Sequence, residues 1–237
     1  MGNNLPANIL LVDKPKGITS FDVIRILRKK LNIRKMGHAG TLDPLASGLM
    51  IIGINDGTKK MTEFLKLPKT YVANILLGKR SETGDMEGKI IEEKPTENIT
   101  DEMIGEVVEN FSGKHLLAVP MYSAIKVGGR PLYAIARKIE AGKILTGRET
   151  AAVPPIKEME VFSAKLLEIQ RTDNNLTIKV EMRVSSGSYI RTLAEELGNR
   201  LGVPAMLTGL RRTEIGAFSV KDALNIDRET ELYISRR

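Results

Sequence analysis

Apolar residues recur along this chain with two different periods, which predict strands and helices respectively. Alternation is clearest in residues 176–184, where apolar residues are separated by Lys179, Glu181 and Arg183. Such a pattern is typical of a strand with one buried and one solvated face. Further alternating or apolar runs of strand length predict strands at residues 9–12, 49–54, 71–77, 158–170 and 207–218.

The second period, of three to four residues, predicts amphipathic helices. Thr19 and Asp22 have the spacing of a capping box, which marks where the first of them begins. Because helices and strands interleave, we predict an α+β fold with a mixed, largely antiparallel β-sheet flanked by helices. The helices are predicted after Thr19, at residues 58–67, at residues 100–111, near Leu132 and at residues 190–201.

Two segments lack either period. Residues 81–88 are polar and contain two glycines, which predicts an exposed loop. Residues 139–155 have no clear pattern, and we predict a surface insertion there.

Residues 37–48 read G-H-A-G-T-L-D-P-L-A-S-G and interrupt the pattern with three glycines and one proline. This composition predicts neither a regular helix nor a central strand. Asp43 precedes Pro44, which favours extended backbone at Asp43. We therefore predict a tight loop that presents one carboxylate and is held by the buried strand that follows it.

The charges around Asp43 indicate what that carboxylate can do. Six Lys and Arg residues lie between Val23 and Asn55, and Asp43 is the only acid among them. A carboxylate surrounded by cations stays ionised, which suits a nucleophile or an anionic anchor better than a general acid. The alternative is that Asp43 and Pro44 only begin a turn.

Composition excludes several classes of site. The chain has no Cys and two His, which excludes disulfides, thiolate catalysis, Cys-based zinc sites and His-rich metal sites. It contains neither a P-loop nor a dinucleotide-binding glycine motif, which argues against nucleotide hydrolysis and a dinucleotide cofactor. With no 18-residue apolar stretch and no signal peptide, we expect a cytoplasmic protein without a membrane span. The net charge of +7 favours a polyanionic partner, nucleic acid first.

Other residues of the chain are candidates for binding or catalysis. Ser185 to Ser188 precede a predicted helix whose first turn carries Tyr189 and Arg191, an arrangement suited to binding an anion. The alternative is a serine cap beside a surface Tyr and Arg. Taken singly, Tyr71 fits a core position and His38 a loop position. The pair Arg211 and Arg212 fits a solvated strand edge.

Taken together, these places resemble one family, the bacterial tRNA pseudouridine synthases of the TruB type, which act on uridine 55 of tRNA. The matching motifs run in order from residue 10 to residue 218, so coincidence is excluded. They are L-L-V-D-K-P-x-G-x-T-S at 10–20, G-H-A-G-T-L-D-P-x-A-x-G-L at 37–49, K-T-Y at 69–71, Y-S-A-I-K at 122–126, Tyr133 with Ala136 and Arg137, S-G-x-Y-I-R-T-L-A at 186–194, and L-R-R-T-x-x-G-x-F at 210–218.

The resemblance implies a pseudouridine-synthase-like domain with a central RNA-binding cleft and an Asp43 nucleophile. Tyr71 is similar to the tyrosine that stacks on the target base and acts as a base. Arg191 is similar to the arginine that pairs with the aspartate. The resemblance also implies that His38 helps to take the nucleotide out of the T-loop, and that Tyr189 and Leu210 line the uracil pocket.

The reaction implied needs no cofactor, because the base leaves C1′, rotates and rejoins through C5. Whether Asp43 attacks C1′, attacks C6 or only supports proton removal from C2′ stays open. The resemblance implies that the partner is the T-arm stem-loop of tRNA. It also implies that the protein is a monomer and binds no membrane. The runner-up is a tRNA-binding or tRNA-folding protein without catalysis. A glycosidase would need a second acid near the motifs, and none is evident.

The chain departs from the family pattern at three places. Leu117-Ala118-Val119-Pro120 stands where Gln-x-Pro-Pro is usual, and the stretch after Arg137 is about ten residues longer than the family's. The chain ends at Arg237, where longer members carry a C-terminal RNA-binding domain. We therefore expect a catalytic domain at 1–220 and a short extension at 221–237.

Overall fold

A computed structural model describes residues 5–142 and 153–226. Strands make up most of the regular structure. The strands are β1 Ile9–Lys14, β2 Met36–His38, β3 Ala46–Ile54, β4 Lys69–Leu77, β5 Lys79–Ser81, β6 Ile90–Glu93, β7 Gly113–Ala118, β8 Lys126–Val127, β9 Arg130–Pro131, β10 Ile156–Thr172, β11 Asn175–Val184, β12 Ala205–Ile215, β13 Phe218–Ser219 and β14 Leu224–Asn225. The helices are α1 Ser20–Leu31, α2 Met61–Lys66, α3 Asp101–Glu109, α4 Leu132–Glu140 and α5 Ile190–Arg200, with 3₁₀ helices at Asn55–Lys60 and Val220–Asp222.

One large sheet has the strand order β14-β1-β3-β12-β4-β11-β10-β7, with β2 paired to β3 and β13 to β12. The pairs β1–β3, β2–β3, β7–β10 and β12–β13 are antiparallel. The pairs β3–β12 and β1–β14 are parallel. The prediction of a mixed sheet flanked by helices is therefore confirmed.

Local sequence explains where α1 begins and ends. The Thr19 side chain accepts a hydrogen bond from the Asp22 backbone N–H, and the Asp22 carboxylate accepts one from the Thr19 N–H, as the capping box predicts. Val23, Ile24 and Leu27 form the buried face. The helix ends at Asn32, whose φ of 52° is left-handed.

The chain divides into two compact units. The first, unit 1, comprises Met1–Asn74, Val180–Ser186 and Gly209–Arg237. The second, unit 2, comprises Ile75–Lys179 and Gly187–Thr208. The core of unit 1 contains Ile9, Leu11, Ala39, Leu49, Ile51, Met61, Phe64 and Ile215. In unit 2, α3 packs against β10 and α5, and buries Ile104 and Val108.

The predicted strands are confirmed except at 207–218, where β12 ends at Ile215 and Phe218–Ser219 turns back to pair antiparallel with it. β11 buries its five alternating apolar residues, Leu176, Ile178, Val180, Met182 and Val184. The helix predicted at 58–67 differs in kind, because a 3₁₀ helix occupies Asn55–Lys60 and α2 begins only at Met61. The 3₁₀ helix packs closely against the preceding chain at Gly57, where a Cβ would lie 2.9 Å from the Asn8 carbonyl carbon.

Two further predictions concern segments that are described only in part. Most of the predicted insertion at 139–155 lies outside the described residues, namely at 143–152. The predicted boundary at residue 220 stays a prediction, because 227–237 are also outside, and Leu224–Asn225 pairs with β1. Within residues 5–142 and 153–226, no helix is long and apolar enough to cross a membrane.

Candidate active site

Asp43 lies in unit 1, on the short loop between β2 and β3. Its neighbours Leu42 and Leu45 are buried and anchor the loop on both sides of the half-buried Asp43. The Ser20 hydroxyl donates to the Leu42 carbonyl (3.0 Å) and accepts from the Leu42 N–H (2.8 Å). The Ala46 N–H donates to the Asp43 carbonyl at 3.0 Å. The predicted tight loop is confirmed.

The prediction that residues 37–48 contain no central strand is wrong at their C-terminal end. Ala46 to Gly48 open β3, which lies between β1 and β12 in the sheet. Gly48 has a φ of 111°, and a Cβ there would lie within 2.7 Å of the Arg212 backbone nitrogen. Glycine is therefore needed at this position so that β12 can approach the strand closely.

Arg212 holds the Asp43 loop in place through hydrogen bonds to its backbone. Its side chain is 1% exposed, which contradicts the predicted solvated edge. Its Nε donates to the Leu49 carbonyl (2.7 Å), Nη2 to the Gly40 carbonyl (3.2 Å) and Nη1 to the Thr41 carbonyl (3.5 Å). One guanidinium thus fixes the backbone on both sides of Asp43.

The prediction of a solvated edge holds only for the neighbouring Arg211. Its Nη2 and Nη1 donate to the two Asp13 carboxylate oxygens at 2.7 and 3.1 Å, in a partly exposed ion pair. Because successive strand residues point to opposite faces, only one of two adjacent arginines can face solvent. That alternation is the signal in the sequence that could have identified Arg212 as buried.

A second cation, Lys69 at the start of β4, is buried in unit 1. Its Nζ donates to the Leu65 and Leu67 carbonyls at 2.5 and 2.7 Å and lies 3.5 Å from the Ser186 hydroxyl. Burial, and to a smaller extent the positive charge of Arg212, together lower the pKa of Lys69 to about 8. Sequence reasoning noted Lys69 only as part of a motif.

His38 is the last residue of β2, opposite Ile52 of β3, and not a loop residue. Burial lowers the pKa of His38, and the Arg212 charge adds to this effect, while a backbone hydrogen bond at Gly40 opposes it. The lowered pKa favours the neutral imidazole. A neutral, half-buried ring has a π-face that can stack on a base.

Leu210 lies on β12, the strand next to β3 in the sheet, and Tyr71 lies on β4, which is next to β12 on its other side. Tyr71 is buried on β4, and Leu210 is half-buried on β12, opposite Ala46 of β3. Between them, Gly209 leaves room for Asn74, whose Nδ2 would lie 2.9 Å from a Cβ at residue 209. Unit 1 therefore carries His38, Asp43, Tyr71 and Leu210.

Arg191 belongs to unit 2, in the first turn of α5. It is buried, with Nη1 donating to the Thr83 carbonyl (2.9 Å) and Nη2 to the Tyr122 carbonyl (2.7 Å). The Asp85 carboxylate lies 3.8 Å from Nη1. The surface arginine given as the alternative is therefore wrong. The pairing of Arg191 with Asp43 stays a prediction.

The segment 81–88 is exposed only in part: Glu82, Met86 and Glu87 are exposed as predicted, whereas Ser81, Gly84 and Asp85 are buried. The Asp85 carboxylate accepts from the Thr83 hydroxyl (2.6 Å) and the Glu87 N–H (3.1 Å), which folds the polar side chains inward. Part of its polar composition therefore serves internal hydrogen bonds and Arg191.

Two more groups complete this part of unit 2. Burial raises the pKa of Glu195, one turn after Arg191, and the charges of Arg80 and Arg191 partly oppose the rise. Tyr189 is the N-cap residue of α5, and its backbone N–H points to the Met159 sulfur at 3.4 Å. Among the described residues, no group of three or more acids and histidines is placed to hold a metal ion.

Comparison with known proteins identifies the family. A model of the TruB family pseudouridylate synthases (N-terminal domain) matches residues 28–190. The chain is 41% identical over 225 residues to tRNA pseudouridine synthase B of Endomicrobium trichonymphae, covering 94% of this chain and 90% of that protein. The chain belongs to the TruB family. The corresponding synthase of Mycobacterium bovis is 39% identical over 219 residues, covering 92% of this chain and 70% of that protein.

Solved structures agree with this TruB-type fold. A chain in a crystal structure of a Cbf5–Nop10–Gar1 complex has a TM-score of 0.68 and 25% identity, covering 95% of this chain. A chain in an H/ACA ribonucleoprotein bound to a substrate RNA has a TM-score of 0.67 and 23% identity, again with 95% of this chain covered. This chain spans 54% and 53% of those chains. The predictions of the fold and of an enzyme of the isomerase class are confirmed.

Proposed function

We propose that the protein converts uridine to pseudouridine in tRNA, the activity for which its relatives are named. The substrate position that we propose is uridine 55 in the T-loop. The observation that carries the proposal is the Asp43 loop, where an acid surrounded in sequence by cations is held by Ser20 and by the buried Arg212.

The reaction is an isomerisation, and its atoms balance without a co-reactant. The N1–C1′ bond breaks, the base rotates, and a C5–C1′ bond forms. The C5 proton leaves and N1 gains a proton, so uridine and pseudouridine have the same formula. The chain's residues need only extrude the base, hold it during rotation and stabilise charge at the sugar or the base.

Asp43 is the nucleophile in this proposal. The Asp43 carboxylate can act in one of three ways: it attacks C1′, it attacks C6, or it supports proton removal from C2′. Each of the three uses an ionised carboxylate that keeps a fixed position while the base turns. The three hydrogen bonds of Arg212 to Gly40, Thr41 and Leu49 supply that fixed position.

We assign the other roles by the same proposal. Tyr71 stacks on the target base and acts as a base, and Arg191 orients the Asp43 carboxylate. His38 assists extrusion of the nucleotide, and its neutral ring costs less to desolvate than an imidazolium would. Tyr189 and Leu210 line the pocket for the uracil. Unstacking a nucleotide costs about a few kcal/mol, which stacking and apolar contact can offset.

A noncatalytic tRNA-binding protein is the second candidate, and Asp43 separates the two. A protein that only binds an RNA backbone gains nothing from a carboxylate at the binding site, because the like charges repel. The experiment uses unmodified tRNA labelled with tritium at C5 of uridine, since formation of the C5–C1′ bond releases that label to water. Sequencing chemistry specific for pseudouridine then identifies the modified position.

We expect Asp43→Asn to abolish tritium release while tRNA affinity changes by less than about threefold, because cations contacting phosphates supply most of the affinity. The control is Asp56→Asn, which removes an exposed acid paired with Lys59 in the same unit. Release by the Asp43→Asn variant at the wild-type rate would remove the nucleophile assignment. Binding of tRNA by the wild type without release would favour the binding protein.

A further inference from the structure

The excess positive charge of the chain is concentrated in one short segment. Residues 16–35 contain seven Lys and Arg residues and one Asp, a net charge of +6, whereas the whole chain carries +7. The remaining 217 residues are therefore almost neutral. The seven cations are Lys16, Arg25, Arg28, Lys29, Lys30, Arg34 and Lys35.

Most of these cations lie on or beside the solvent-facing side of α1. Phe21, Arg25, Lys29 and Asn32 are exposed and Arg28 is half-buried, and their spacing of three and four residues places them in a single stripe. We call these five residues the α1 stripe. The one acid of residues 16–35, Asp22, is engaged by Thr19 and Arg25.

The N-terminal end of the α1 stripe carries an exposed aromatic ring. Phe21 is 61% exposed, and the Arg28 guanidinium carbon lies 5.9 Å from the centre of its ring. A large apolar ring left in water beside a cation contributes little to the fold. The same pair suits an unpaired nucleotide, because the ring can stack on a base while the cation meets its phosphate.

The α1 stripe begins at the Asp43 loop. Ser20, which precedes Phe21, exchanges two hydrogen bonds with Leu42, and the Gly17 N–H donates to the Pro44 carbonyl at 2.8 Å. The 12 residues of α1 extend about 18 Å from that point. Nucleic acid whose target base lies at Asp43 can therefore follow the helix without leaving unit 1.

The helix dipole accounts for only part of this charge. Cations in the last turn stabilise a helix C-terminus, which explains Lys29 and Lys30. Lys30 also donates to the Ile226 carbonyl at 3.0 Å and so has a structural role. Arg25 lies in the middle of the helix and Arg34 and Lys35 lie beyond its end, where the dipole gives no benefit. Neither the dipole nor packing explains the exposed Phe21.

We propose that the α1 stripe is an RNA-binding surface for the strand that continues from the target nucleotide. Phe21 stacks on an unpaired base next to the target, and Arg25, Arg28 and Lys29 contact the phosphates that follow. The proposal rests on the RNA substrate of the proposed function, to which it adds the path of the backbone.

The test measures RNA binding over a range of salt concentrations. The probe is a T-arm hairpin with 2-aminopurine, a fluorescent base analogue, beside the target uridine. The variant Arg25→Gln/Lys29→Gln/Arg34→Gln removes two exposed cations of the α1 stripe and a third just beyond the end of α1. Its control Lys89→Gln/Lys165→Gln/Lys221→Gln removes three exposed cations elsewhere. Arg28 is retained because it donates to the Met36 carbonyl. Thermal unfolding verifies that both variants are folded.

We expect the first variant to lower the magnitude of the slope of log affinity against log salt by about 2, and the control by less than about 1. Phe21→Ala should weaken binding about fivefold and relieve the quenching of 2-aminopurine. The control Phe162→Ala, at another half-exposed phenyl ring, should do neither.

The outcomes separate this proposal from the proposed function. Equal slopes for the two triple variants, or unchanged quenching in Phe21→Ala, would overturn the α1 stripe even if the wild type forms pseudouridine. Wild-type protein that binds the hairpin without converting it would overturn the proposed activity, while the slopes still decide on the stripe. Wild-type protein that binds no RNA would overturn both.

Discussion

The guanidinium of Arg212 is buried, and its three hydrogen bonds all go to backbone carbonyls around Asp43. Such a contact fixes the backbone of the loop without touching the carboxylate itself. Arg212 is therefore a positioning residue in the proposed mechanism. Its removal would leave the Leu49, Gly40 and Thr41 carbonyls without this donor, and a buried acceptor without a donor is costly.

We expect Arg212→Met to lower the free energy of unfolding by about 2–4 kcal/mol. Arg211→Met is the matched control, because it removes a partly exposed ion pair with Asp13 and should cost about 1 kcal/mol or less. Chemical denaturation measures both. Equal losses for the two variants would contradict the burial and contacts assigned to Arg212.

A catalytic readout distinguishes positioning from simple stability. Well below the unfolding temperature, Arg212→Met should reduce kcat for pseudouridine formation more than it raises KM, because a displaced Asp43 affects the reacting geometry. Arg212→Lys, which keeps the charge and can reach one carbonyl, should recover part of kcat. A pure stability role would leave kcat unchanged in the folded fraction.

Lys69 makes stability depend on pH. Its pKa in the folded protein is about 8, below the ordinary value of 10.5, so between these values the unfolded chain binds more protons than the folded one. Burying the charged amine therefore costs stability below pH 8, and that cost disappears as the pH rises towards 10.5. The sign follows from the lowered pKa of a basic group.

We expect the free energy of unfolding of the wild type, minus that of Lys69→Met, to rise between about pH 8 and pH 10. The slope is at most about 1.4 kcal/mol per pH unit, the value for one proton. Lys66→Met, which removes an exposed lysine, controls for the general loss of a positive charge. Parallel curves for the wild type and Lys69→Met would show that Lys69 does not titrate in this range.

At the scale of elements, the close parallel pairing of β3 with β12 connects the Asp43 loop to Arg212. The register places Gly48 opposite Arg212, and only a residue without a Cβ fits there. This is why the motif ends in glycine at the point where the loop becomes a strand. The pairing also brings Leu210 opposite Ala46, three residues after Asp43.

We expect Gly48→Ala to lower the free energy of unfolding by several kcal/mol more than Gly113→Ala does. Both glycines have a φ above 100°, so both variants carry backbone strain of about 1–3 kcal/mol. A Cβ at Gly113 meets nothing within 4 Å, whereas at Gly48 it meets the backbone of β12. Denaturant unfolding compares the two, and similar losses would argue against the close strand approach.

The elements were predictable where a periodic pattern or a local cap specifies them. β11 follows strict alternation, and α1 begins at a capping box that needs only four adjacent residues. The burial within 81–88 is not predictable from composition, because the Thr83 hydroxyl bonds to Asp85 and the Asp85 carboxylate faces Arg191, about a hundred residues later in the chain. Composition reports polarity but not the partner that satisfies it.

The candidate site shows the same limit. Asp43 could be singled out from charge and loop composition, since both are local properties of the sequence. Strand alternation could indicate that one of the two adjacent arginines is buried, but the roles of Arg212 and Lys69 depend on carbonyls from other elements, which no local pattern specifies. A positively charged side chain reads as solvated until the fold shows which backbone groups surround it.

At the scale of the whole molecule, the proposed substrate contacts lie on a chain whose positive charge is concentrated near the Asp43 loop. Affinity that comes from phosphate contacts falls as salt rises, because counterions compete for the same cations. Recognition of an RNA loop depends on its shape and on the ease of unstacking the target base. A stem-loop supplies both the phosphates and the loop with a target base that can be unstacked.

We therefore expect an isolated T-arm hairpin to be converted to pseudouridine nearly as efficiently as full-length tRNA, within about threefold in kcat/KM. Both RNAs should lose affinity in parallel as salt rises, with slopes of log affinity that differ by less than about 1, because the same phosphates are contacted in each. The control is a hairpin with the target uridine replaced by cytidine, which should bind through its phosphates but yield no pseudouridine. Tritium release and fluorescence anisotropy measure the two properties. An inert hairpin beside a reactive tRNA would mean that contacts outside the T arm are essential, and a steeper slope for tRNA would count the additional phosphates involved.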